Sequence, residues 1–410
     1  MRSFESLQQT LGEEVVELHP PRSLEDASLE ACLRPRDGDE LARSLAALSE
    51  QELSVLVQGG GSRMQLGNPC PRARALLSTQ GLVGIDEFDS NDGVVLVRAG
   101  TPLSLLAETV DQSGWQLPFD PPGPTTTVGG ALATSATGPR RQQFGSPRDS
   151  VLGLQVVLSS GQRTRCGGRV VKNVTGYDMA KLYTGSFGSL GVIEATWLRL
   201  RPRPRVATVA RAELRGPASE SLRLGREVSR RGSARVVALV AGGPAAQLGE
   251  GSELEGSGLL VVEYAGDVPE VERDIAWLQD QCGAREVSEE SRLVERLRAL
   301  QGAGAIRARL SVLPSRLPAL LARLSFAGLG TITYPGLGVV YAFSESGATA
   351  ILRAARASDA ELLFEALPLA SRREVDVFGE PGPAFPIARA LKQRFDPSGI
   401  LNPGRFQGRL

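Results

Sequence analysis

Histidine is nearly absent from this sequence of 410 residues, which contains only His19. That residue stands beside Pro20 and Pro21, a setting more typical of a surface loop than of a catalytic base. A single imidazole also cannot build a multi-histidine metal centre. We therefore expect no bound metal, and the residue that would accept a proton in catalysis stays unknown from the sequence.

Cysteine is scarce too. The four cysteines, Cys32, Cys70, Cys166 and Cys282, are far apart and form no C-x-x-C pair. This spacing argues against an iron–sulfur cluster or a structural zinc held by this chain alone, and it is typical of reduced thiols in the cytosol. The N-terminal residues are polar and acidic, and no run approaches the roughly 18 apolar residues of a membrane span. We expect a soluble, cytoplasmic protein that contacts a membrane only through partner subunits.

Neither sign of charge is in excess, because 46 basic and 46 acidic side chains cancel, and aromatic residues make up only 5% of the chain. These two features remove the electrostatic and base-stacking arguments for a nucleic-acid partner. The sequence also lacks G-x-G-x-x-G after a strand and lacks a P-loop motif, so neither of those nucleotide-binding folds is supported. The length allows two domains with separate cores.

Glycine, by contrast, is concentrated in three loops. In the stretch of residues 120–193, prolines at 121, 122 and 124 indicate a rigid loop, and Gly129 and Gly130 then open a run of small residues. Backbone N–H groups exposed at the start of a helix there would suit a pyrophosphate, although the glycine pair alone is more typical of a tight turn. An apolar run at residues 55–58 stops at Gly59, Gly60, Gly61 and Ser62, as a buried strand does when it feeds an anion-binding loop.

A third glycine loop, residues 185–191, leads into a strand-like run at 194–200. Together with KNVTGYD at 172–178 and FDPSGILNPGR at 395–405, these loops resemble the vanillyl-alcohol-oxidase-type FAD-binding family, and within it the FAD-binding subunits of bacterial glycolate oxidases. The resemblance covers about residues 20–204. It implies a PCMH-type FAD-binding domain of two subdomains, with an α+β cap domain whose sheet is covered by helices.

Periodicity supports an α+β class. It predicts a helix through Leu41, Leu45 and Leu48. The residue types at 91–93 predict a hairpin turn, and the arginines and prolines at 199–205 indicate a linker. Beyond the linker, strands and helices alternate in two rounds. We expect an FAD-binding domain at 1–204, a cap domain at 205–384, and a C-terminal segment, 385–410, that returns to the first domain.

The resemblance also implies FAD as cofactor. Because neither histidine nor cysteine lies at residues 59–62, we expect non-covalent binding. Lys172 is the candidate for a positive charge near the flavin, although a loop lysine is as often solvated surface. The residues expected to bind the cofactor are Gly59, Gly60, Gly61, Ser62, Pro122, Thr127, Val128, Gly129, Gly130, Ala133, Gly138, Lys172, Gly191, Val192, Ile193 and Asn402.

Arginine is the natural partner of a substrate carboxylate. Arg307 and Arg309 stand at i and i+2 on a predicted strand, hence on one face, and are the candidates for that contact. Related 2-hydroxy acid dehydrogenases place histidines near the flavin, whereas no histidine follows His19 here. Either another residue takes the proton, with Tyr177, Tyr334 and Tyr341 the first to consider, or this subunit does not oxidise the substrate.

Three functions stay open. The first is the FAD-binding subunit of a glycolate oxidase complex that oxidises glycolate to glyoxylate, working beside a related FAD-linked catalytic subunit and an iron–sulfur subunit. The second is a self-sufficient FAD-linked dehydrogenase of another hydroxy acid. The third is a structural subunit without a catalytic flavin.

Overall fold

The computed structural model describes residues 4–170, 177–248, 258–287 and 292–410. The chain begins with a small subdomain whose sheet has the order β1-β2-β4-β3, antiparallel between β1 and β2 and parallel elsewhere. The predicted helix is confirmed as α2, capped by the Asp37 side chain, and it buries its leucine stripe against the sheet. The elements of this first subdomain are α1 (Phe4–Leu11), β1 (Val16–Leu24), β2 (Ala27–Leu33), α2 (Gly38–Glu50), β3 (Val55–Gln58) and β4 (Ala75–Ser78).

The second subdomain contains an antiparallel five-stranded sheet with the order β5-β6-β10-β8-β9. The predicted hairpin joins β5 to β6, and the Asp89 carboxylate accepts hydrogen bonds from two backbone N–H groups of its turn. The elements are β5 (Ile85–Asp89), β6 (Val94–Arg98), α3 (Leu103–Asp111), β7 (Trp115–Gln116), α4 (Val128–Ala133), α5 (Arg141–Phe144), β8 (Val151–Val157), β9 (Arg163–Gly167), α6 (Ala180–Tyr183), β10 (Val192–Arg199) and β11 (Arg201–Pro202).

The expected linker at 199–205 is only partly a linker. Arg199 ends β10, and β11 pairs with β7, so this segment is tied to the second subdomain by a short ladder. Proline is compatible with that strand because β11 lies at a sheet edge, where one N–H group can be missing.

The third part of the chain forms one antiparallel sheet of eight strands, in the order β15-β12-β14-β13-β17-β18-β16-β19. The two predicted rounds of strands merge because β13 pairs with β17. The elements are β12 (Val206–Leu214), α7 (Ala218–Val228), β13 (Ala234–Ala241), α8 (Gly243–Leu248), β14 (Gly258–Gly266), α9 (Val268–Cys282), β15 (Arg285–Val287), α10 (Leu293–Gln301), β16 (Ile306–Ser311), α11 (Leu317–Phe326), β17 (Gly330–Tyr334), β18 (Val339–Ser344), α12 (Thr349–Ala357), β19 (Glu361–Ala366) and α13 (Leu369–Glu374).

The two faces of this sheet have different neighbours. Helices α7, α9, α11 and α12 bury one face in a common apolar core. On the other face, α8 and α10 cover one end. The same face carries ionic side chains that meet the second subdomain, such as Glu263, whose carboxylate pairs with the Arg140 guanidinium at 2.8 Å. The cap sheet is therefore an apolar layer toward its helices and a partly ionic layer toward the rest of the molecule.

The last helix, α14 (Phe385–Phe395), leads into a tail that contacts the first subdomain. The N–H group of Val55 donates to the carbonyl of Ile400, and the N–H group of Asn402 donates to the carbonyl of Val55. These contacts agree with a C-terminal segment that returns to the first domain. We propose the domain boundaries as predicted, at 1–204, 205–384 and 385–410. In the part of the chain that is described, no helix has the length and apolar character that would let it cross a membrane.

Candidate functional site

A cleft of about 790 Å³ of empty space, partly open to solvent, lies where the glycine loops and the C-terminal tail meet. Most of the predicted cofactor residues line it, including the loops at 59–62 and 191–193. The lining residues are Val57, Gly59, Gly60, Gly61, Ser62, Arg63, Met64, Leu66, Thr79, Thr127, Gly129, Gly130, Ala133, Thr134, Ser186, Phe187, Gly188, Gly191, Val192, Ile193, Asn402 and Arg405.

The loop after β3 supplies unpaired backbone donors to this cleft. The N–H groups of Gly60, Gly61 and Ser62 donate no hydrogen bond to any residue that the structure describes. A side chain at position 60 is excluded, because its Cβ would lie 1.5 Å from the carbonyl oxygen of Thr125. Consecutive free N–H groups with no side chain in front of them form a concave site for an anion, which is the chemistry that a pyrophosphate requires.

The start of α4 differs from the sequence-based expectation. The N–H group of Val128 donates to the carbonyl of Thr101, and that of Gly129 donates to the carbonyl of Ala99 at 2.7 Å. The N–H group of Gly130 faces the Thr127 hydroxyl at 3.3 Å. The expectation of free N–H groups here was wrong, because the carbonyls of Thr101 and Ala99 and the hydroxyl of Thr127 already accept their hydrogen bonds. Gly129, Gly130 and Ala133 line the cleft as small residues instead.

The third glycine loop and the tail close the opposite wall. The N–H group of Phe187 donates to the carbonyl of Ala133, which fixes the loop on α4. The buried Asn402 side chain accepts a hydrogen bond from the N–H group of Val57 and donates one to the carbonyl of Phe187, each at 2.7 Å. Asn402 therefore lines the cleft and joins β3 to the third loop. Both its amide oxygen and its amide nitrogen already form hydrogen bonds with the protein backbone.

Two arginines are the charged residues of the cleft wall. Arg63 donates to the Thr126 hydroxyl at 3.2 Å and to the carbonyl of Pro122. Burial lowers the pKa of Arg63 to about 10. Arg405 donates to the Glu25 carboxylate at 3.2 Å and to the carbonyl of Met64. Among the described residues that line the cleft, none is a histidine, carboxylic acid, lysine, cysteine or tyrosine.

The remaining predicted cofactor residues lie elsewhere. Val128 is buried in the core of the second subdomain. Gly138 packs on Asp120, whose carbonyl oxygen would be 1.9 Å from a Cβ at position 138. Pro122 stands behind Arg63 and does not line the cleft. Lys172 lies outside the described residues.

The tyrosines considered as bases have the wrong environment. Burial raises the pKa of Tyr341 to about 12 and that of Tyr334 well above its usual range. The Tyr334 hydroxyl donates to the Gln301 side chain at 2.8 Å. Tyr177 is 95% exposed and does not line the cleft. A tyrosine base would need a lowered pKa, so the two buried tyrosines are not proton acceptors near neutral pH.

The two predicted substrate arginines lie on one face of β16, as expected. The Nε atom of Arg307 is 3.7 Å from the carboxylate of Glu365, and the Nε atom of Arg309 is 3.8 Å from the same group. Glu365 belongs to the neighbouring strand β19, which the sequence patterns did not indicate. Both arginines therefore share one resident carboxylate.

Several cleft residues were missed by sequence reasoning. Arg63 and Met64 directly follow the predicted loop at 59–62, and residues 186–188 belong to the third glycine loop, of which only the last residue was expected to bind the cofactor. Arg405 belongs to the NPGR sequence. Each of them lies in or next to a recognised motif, which is the signal that could have identified them.

The two small subdomains, the antiparallel cap sheet and the glycine-lined cleft agree with the fold expected of a PCMH-type FAD-binding domain with a cap. Comparison with known proteins agrees: residues 29–167 match the FAD binding domain family. The fold resembles p-cresol methylhydroxylase with a TM-score of 0.73 at 15% identity, over 98% of this chain and 95% of that one. It also resembles alkyldihydroxyacetonephosphate synthase with a TM-score of 0.71 at 14% identity, over 98% of this chain and 84% of that one. The predicted fold class is confirmed.

Several curated proteins are similar to this chain in sequence. Glycolate oxidase subunit GlcE of Escherichia coli is 38% identical over 162 residues, which are 39% of this chain and 46% of that protein. The mitochondrial D-2-hydroxyglutarate dehydrogenase of Bos taurus is 36% identical over 200 residues, 47% of this chain and 37% of that protein. Glycolate oxidase subunit GlcD of Bacillus subtilis is 33% identical over 177 residues, 43% of this chain and 37% of that protein.

The aligned part of the chain therefore spans less than half the length of these curated relatives. The predicted resemblance to glycolate oxidase subunits is confirmed, and the matched family supports FAD as the cofactor. That the chain acts as an FAD-dependent oxidoreductase subunit stays a prediction.

Proposed function

We propose that this chain is the FAD-binding subunit of a glycolate oxidase complex, which oxidises glycolate to glyoxylate and passes the electrons on through flavin and an iron–sulfur partner. One observation carries the proposal. The cleft combines free backbone donors for a pyrophosphate with a wall that, over its described residues, contains no group able to accept a proton near neutral pH. Such a cleft suits a subunit that binds flavin and leaves the oxidation to another subunit.

The residues present fit FAD. Residues 60–62 would hold the pyrophosphate through their free N–H groups, and Gly129, Gly130 and Ala133 would leave room beside it. Residues 191–193 would run along the adenosine half. FAD supplies the electron sink that no protein side chain offers. Because no histidine, cysteine or tyrosine lines the described wall, we propose non-covalent binding.

We also propose that the chain has partner subunits. The relatives named as glycolate oxidase subunits GlcE and GlcD favour a complex with a related FAD-linked catalytic subunit, joined by an iron–sulfur subunit. The four cysteines of this chain form no C-x-x-C pair, so we assign the iron–sulfur cluster to the partner subunit. We further propose a cytoplasmic location, with membrane contact only through these partners.

A self-sufficient dehydrogenase of another hydroxy acid is the second candidate. It is favoured by the relatives named D-2-hydroxyglutarate dehydrogenase and, in Archaeoglobus fulgidus, D-lactate dehydrogenase, which is 32% identical over 197 residues. A structural subunit without flavin is less well supported, because a protein that no longer bound the cofactor would have no need of three unpaired N–H groups in an open cleft.

The experiment is an absorption spectrum of the purified chain before and after acid precipitation. We expect a flavin spectrum in the native sample and FAD in the acid supernatant. A folded, colourless chain that takes up no added FAD would contradict the proposal. Flavin that stays in the precipitate would contradict non-covalent binding alone.

A further inference from the structure

The third glycine loop separates the cleft from a second, smaller cavity, which we call the rear cavity. It contains about 440 Å³ of empty space, opens partly to solvent, and lies between α6, the third glycine loop, α14 and the tail at 396–410. Leu182, Leu190, Leu391 and Phe406 give it an apolar wall. Ser186 lines both the cleft and the rear cavity, so the same loop forms a wall of each.

Helix α14 lines the rear cavity with one side and faces solvent with the other. Lys392 is the one buried residue among its 11, and the side chain of Ile387 is 65% exposed. Ile387 lies one turn before Leu391, so the two side chains are neighbours on the helix surface. An apolar patch therefore continues from the wall of the rear cavity to the outer surface. An apolar cavity joined to an exposed apolar side chain is typical of the centre of a protein interface.

The charged residues around this patch are almost all basic. The single carboxylate side chain in the four segments, Asp396, is buried and pairs with Lys392 at 2.6 Å. Arg389 and Arg394 are exposed and make no hydrogen bond or ion pair with any residue that the structure describes. At 3.6 residues per turn, these two arginines stand on opposite sides of the apolar patch. The basic residues of the four segments are Lys181, Arg389, Lys392, Arg394, Arg405 and Arg409.

The rear cavity also lies close to the cleft. Phe187 lines the cleft and packs on Phe406, which lines the rear cavity, with 5.7 Å between the ring centroids. Only the third glycine loop and this pair of rings would separate a protein seated on the rear cavity from the proposed flavin site. Electrons that leave reduced flavin one at a time, as its protons pass to water, would reduce an oxidised iron–sulfur centre held at this surface.

We propose that the rear cavity, Ile387, Arg389 and Arg394 form the docking surface for the iron–sulfur partner subunit. Charge complementarity defines the matching surface, which presents carboxylates to the two arginines around an apolar side chain that enters the rear cavity. The apolar anchor supplies most of the affinity, whereas the charges at the rim speed association and select the partner. The identity of this partner rests on the proposed function.

Calorimetric titration of the full chain with the purified iron–sulfur subunit, at low and at high salt, tests the surface. We expect saturable binding that weakens as salt is added. Ile387→Asp should weaken it by about tenfold or more, because a carboxylate would replace the apolar anchor contact. The double variant Arg389→Glu and Arg394→Glu should weaken binding by a similar factor at low salt and lose most of the salt dependence.

Two matched controls show whether the effect belongs to this surface. Phe326 is 96% exposed at the end of α11, and Arg353 is exposed on α12 and forms no ion pair with any described residue. Phe326→Asp and Arg353→Glu should bind the partner as the unmodified chain does. Every variant should keep the melting temperature and flavin spectrum of the unmodified chain, since the replaced side chains face solvent.

Equal binding by Ile387→Asp and Phe326→Asp would overturn the docking surface. So would a dimer of the chain that Ile387→Asp converts to a monomer, because a second copy would then occupy the patch. An unmodified chain that binds no partner subunit would overturn the proposed complex as well. Partner binding that survives the substitutions unchanged would overturn the docking surface alone, and the spectral test of FAD binding is independent of both.

Discussion

At the scale of single residues, neighbouring glycines of the cleft play different parts. A Cβ at Gly129 would lie 2.6 Å from the Cβ of Ala99, so a side chain there would clash with the protein. A Cβ at Gly130 would meet only the Thr127 hydroxyl, at 3.1 Å, and the rest of a side chain would extend into the cleft. Gly130 is therefore the position at which loss of the cofactor can be separated from loss of the fold.

We predict that Gly130→Val folds but binds FAD at least tenfold more weakly, because the isopropyl group occupies space beside the proposed pyrophosphate site. Flavin content per folded chain, measured by absorbance alongside circular dichroism, checks this. Gly382→Val is the control, since no atom lies within 4 Å of a Cβ at that exposed position. Full flavin occupancy in Gly130→Val would show that this part of the wall does not contact the cofactor.

Asp120 is a second informative residue. Its Oδ2 atom is buried and has no hydrogen-bond partner among the described residues, while Oδ1 accepts a bond from the N–H group of Arg140 at 3.3 Å. Burial raises the pKa of Asp120 to about 6, against attraction from Arg140 and Arg298. The folded chain thus holds this proton more tightly than the unfolded chain, whose carboxyl has a pKa near 3.8.

The contribution of Asp120 to stability is therefore most favourable below about pH 4, falls as the pH rises toward 6, and stays level above it, with a loss of about 3 kcal/mol. We predict that Asp120→Asn is more stable than the unmodified protein at pH 7.5, by about 1–3 kcal/mol, and loses most of this pH dependence. Thermal unfolding at pH 4.5 and 7.5 measures both effects. Asp111→Asn, at an exposed ion pair with Arg203, should keep the full dependence, and equal slopes in both variants would contradict the account.

At the scale of elements, α14 and the tail hold two of the cleft walls in place. The buried Lys392 ammonium donates to the Asp396 carboxylate at 2.6 Å and to the carbonyls of Ser189 and Leu401. Asp396 in turn accepts hydrogen bonds from the N–H groups of Ile400 and Leu401. Lys392 therefore links the last helix to the third glycine loop through the Ser189 carbonyl. Its ion-pair partner, Asp396, fixes the turn that precedes Asn402.

We predict that Lys392→Met destabilises the fold by about 3–5 kcal/mol, because it leaves the Asp396 carboxylate buried without its cation. Flavin occupancy should fall with it, since the turn before Asn402 loses its support. Arg394→Met, on the exposed side of the same helix, should change the unfolding free energy by less than about 0.5 kcal/mol. Similar unfolding free energies for the two variants, from urea denaturation, would refute the structural role of this pair.

Local patterns predicted many of the elements, such as α2 with its acidic first turn and leucine stripe and the hairpin of β5 and β6. They did not reveal β4 or β19, which pair with strands distant in the sequence. The occupied N–H groups of α4 were also unpredictable. Their acceptors, Thr101 and Ala99, come together with the helix only through the tertiary fold.

At the scale of the whole molecule, the chain is organised by contacts between distant segments. β13 pairs with β17 across about ninety residues, which turns two predicted rounds into one sheet. The cleft combines the first, second and third glycine loops with the tail. The motifs identified the cofactor through resemblance, whereas the contact of Asn402 with β3 and the third glycine loop required the structure, since these segments are far apart in the sequence.

The central claim, that this chain binds FAD without oxidising the substrate by itself, is tested most directly by anaerobic mixing of the FAD-loaded chain with glycolate. The absorbance of the oxidised flavin is followed over time, first for the chain alone and then with the related flavoprotein and iron–sulfur subunits added. We predict that the flavin of the isolated chain stays oxidised and that reduction begins only when the partners are present. Rapid, stoichiometric bleaching of the isolated chain would contradict the account and would favour the self-sufficient dehydrogenase.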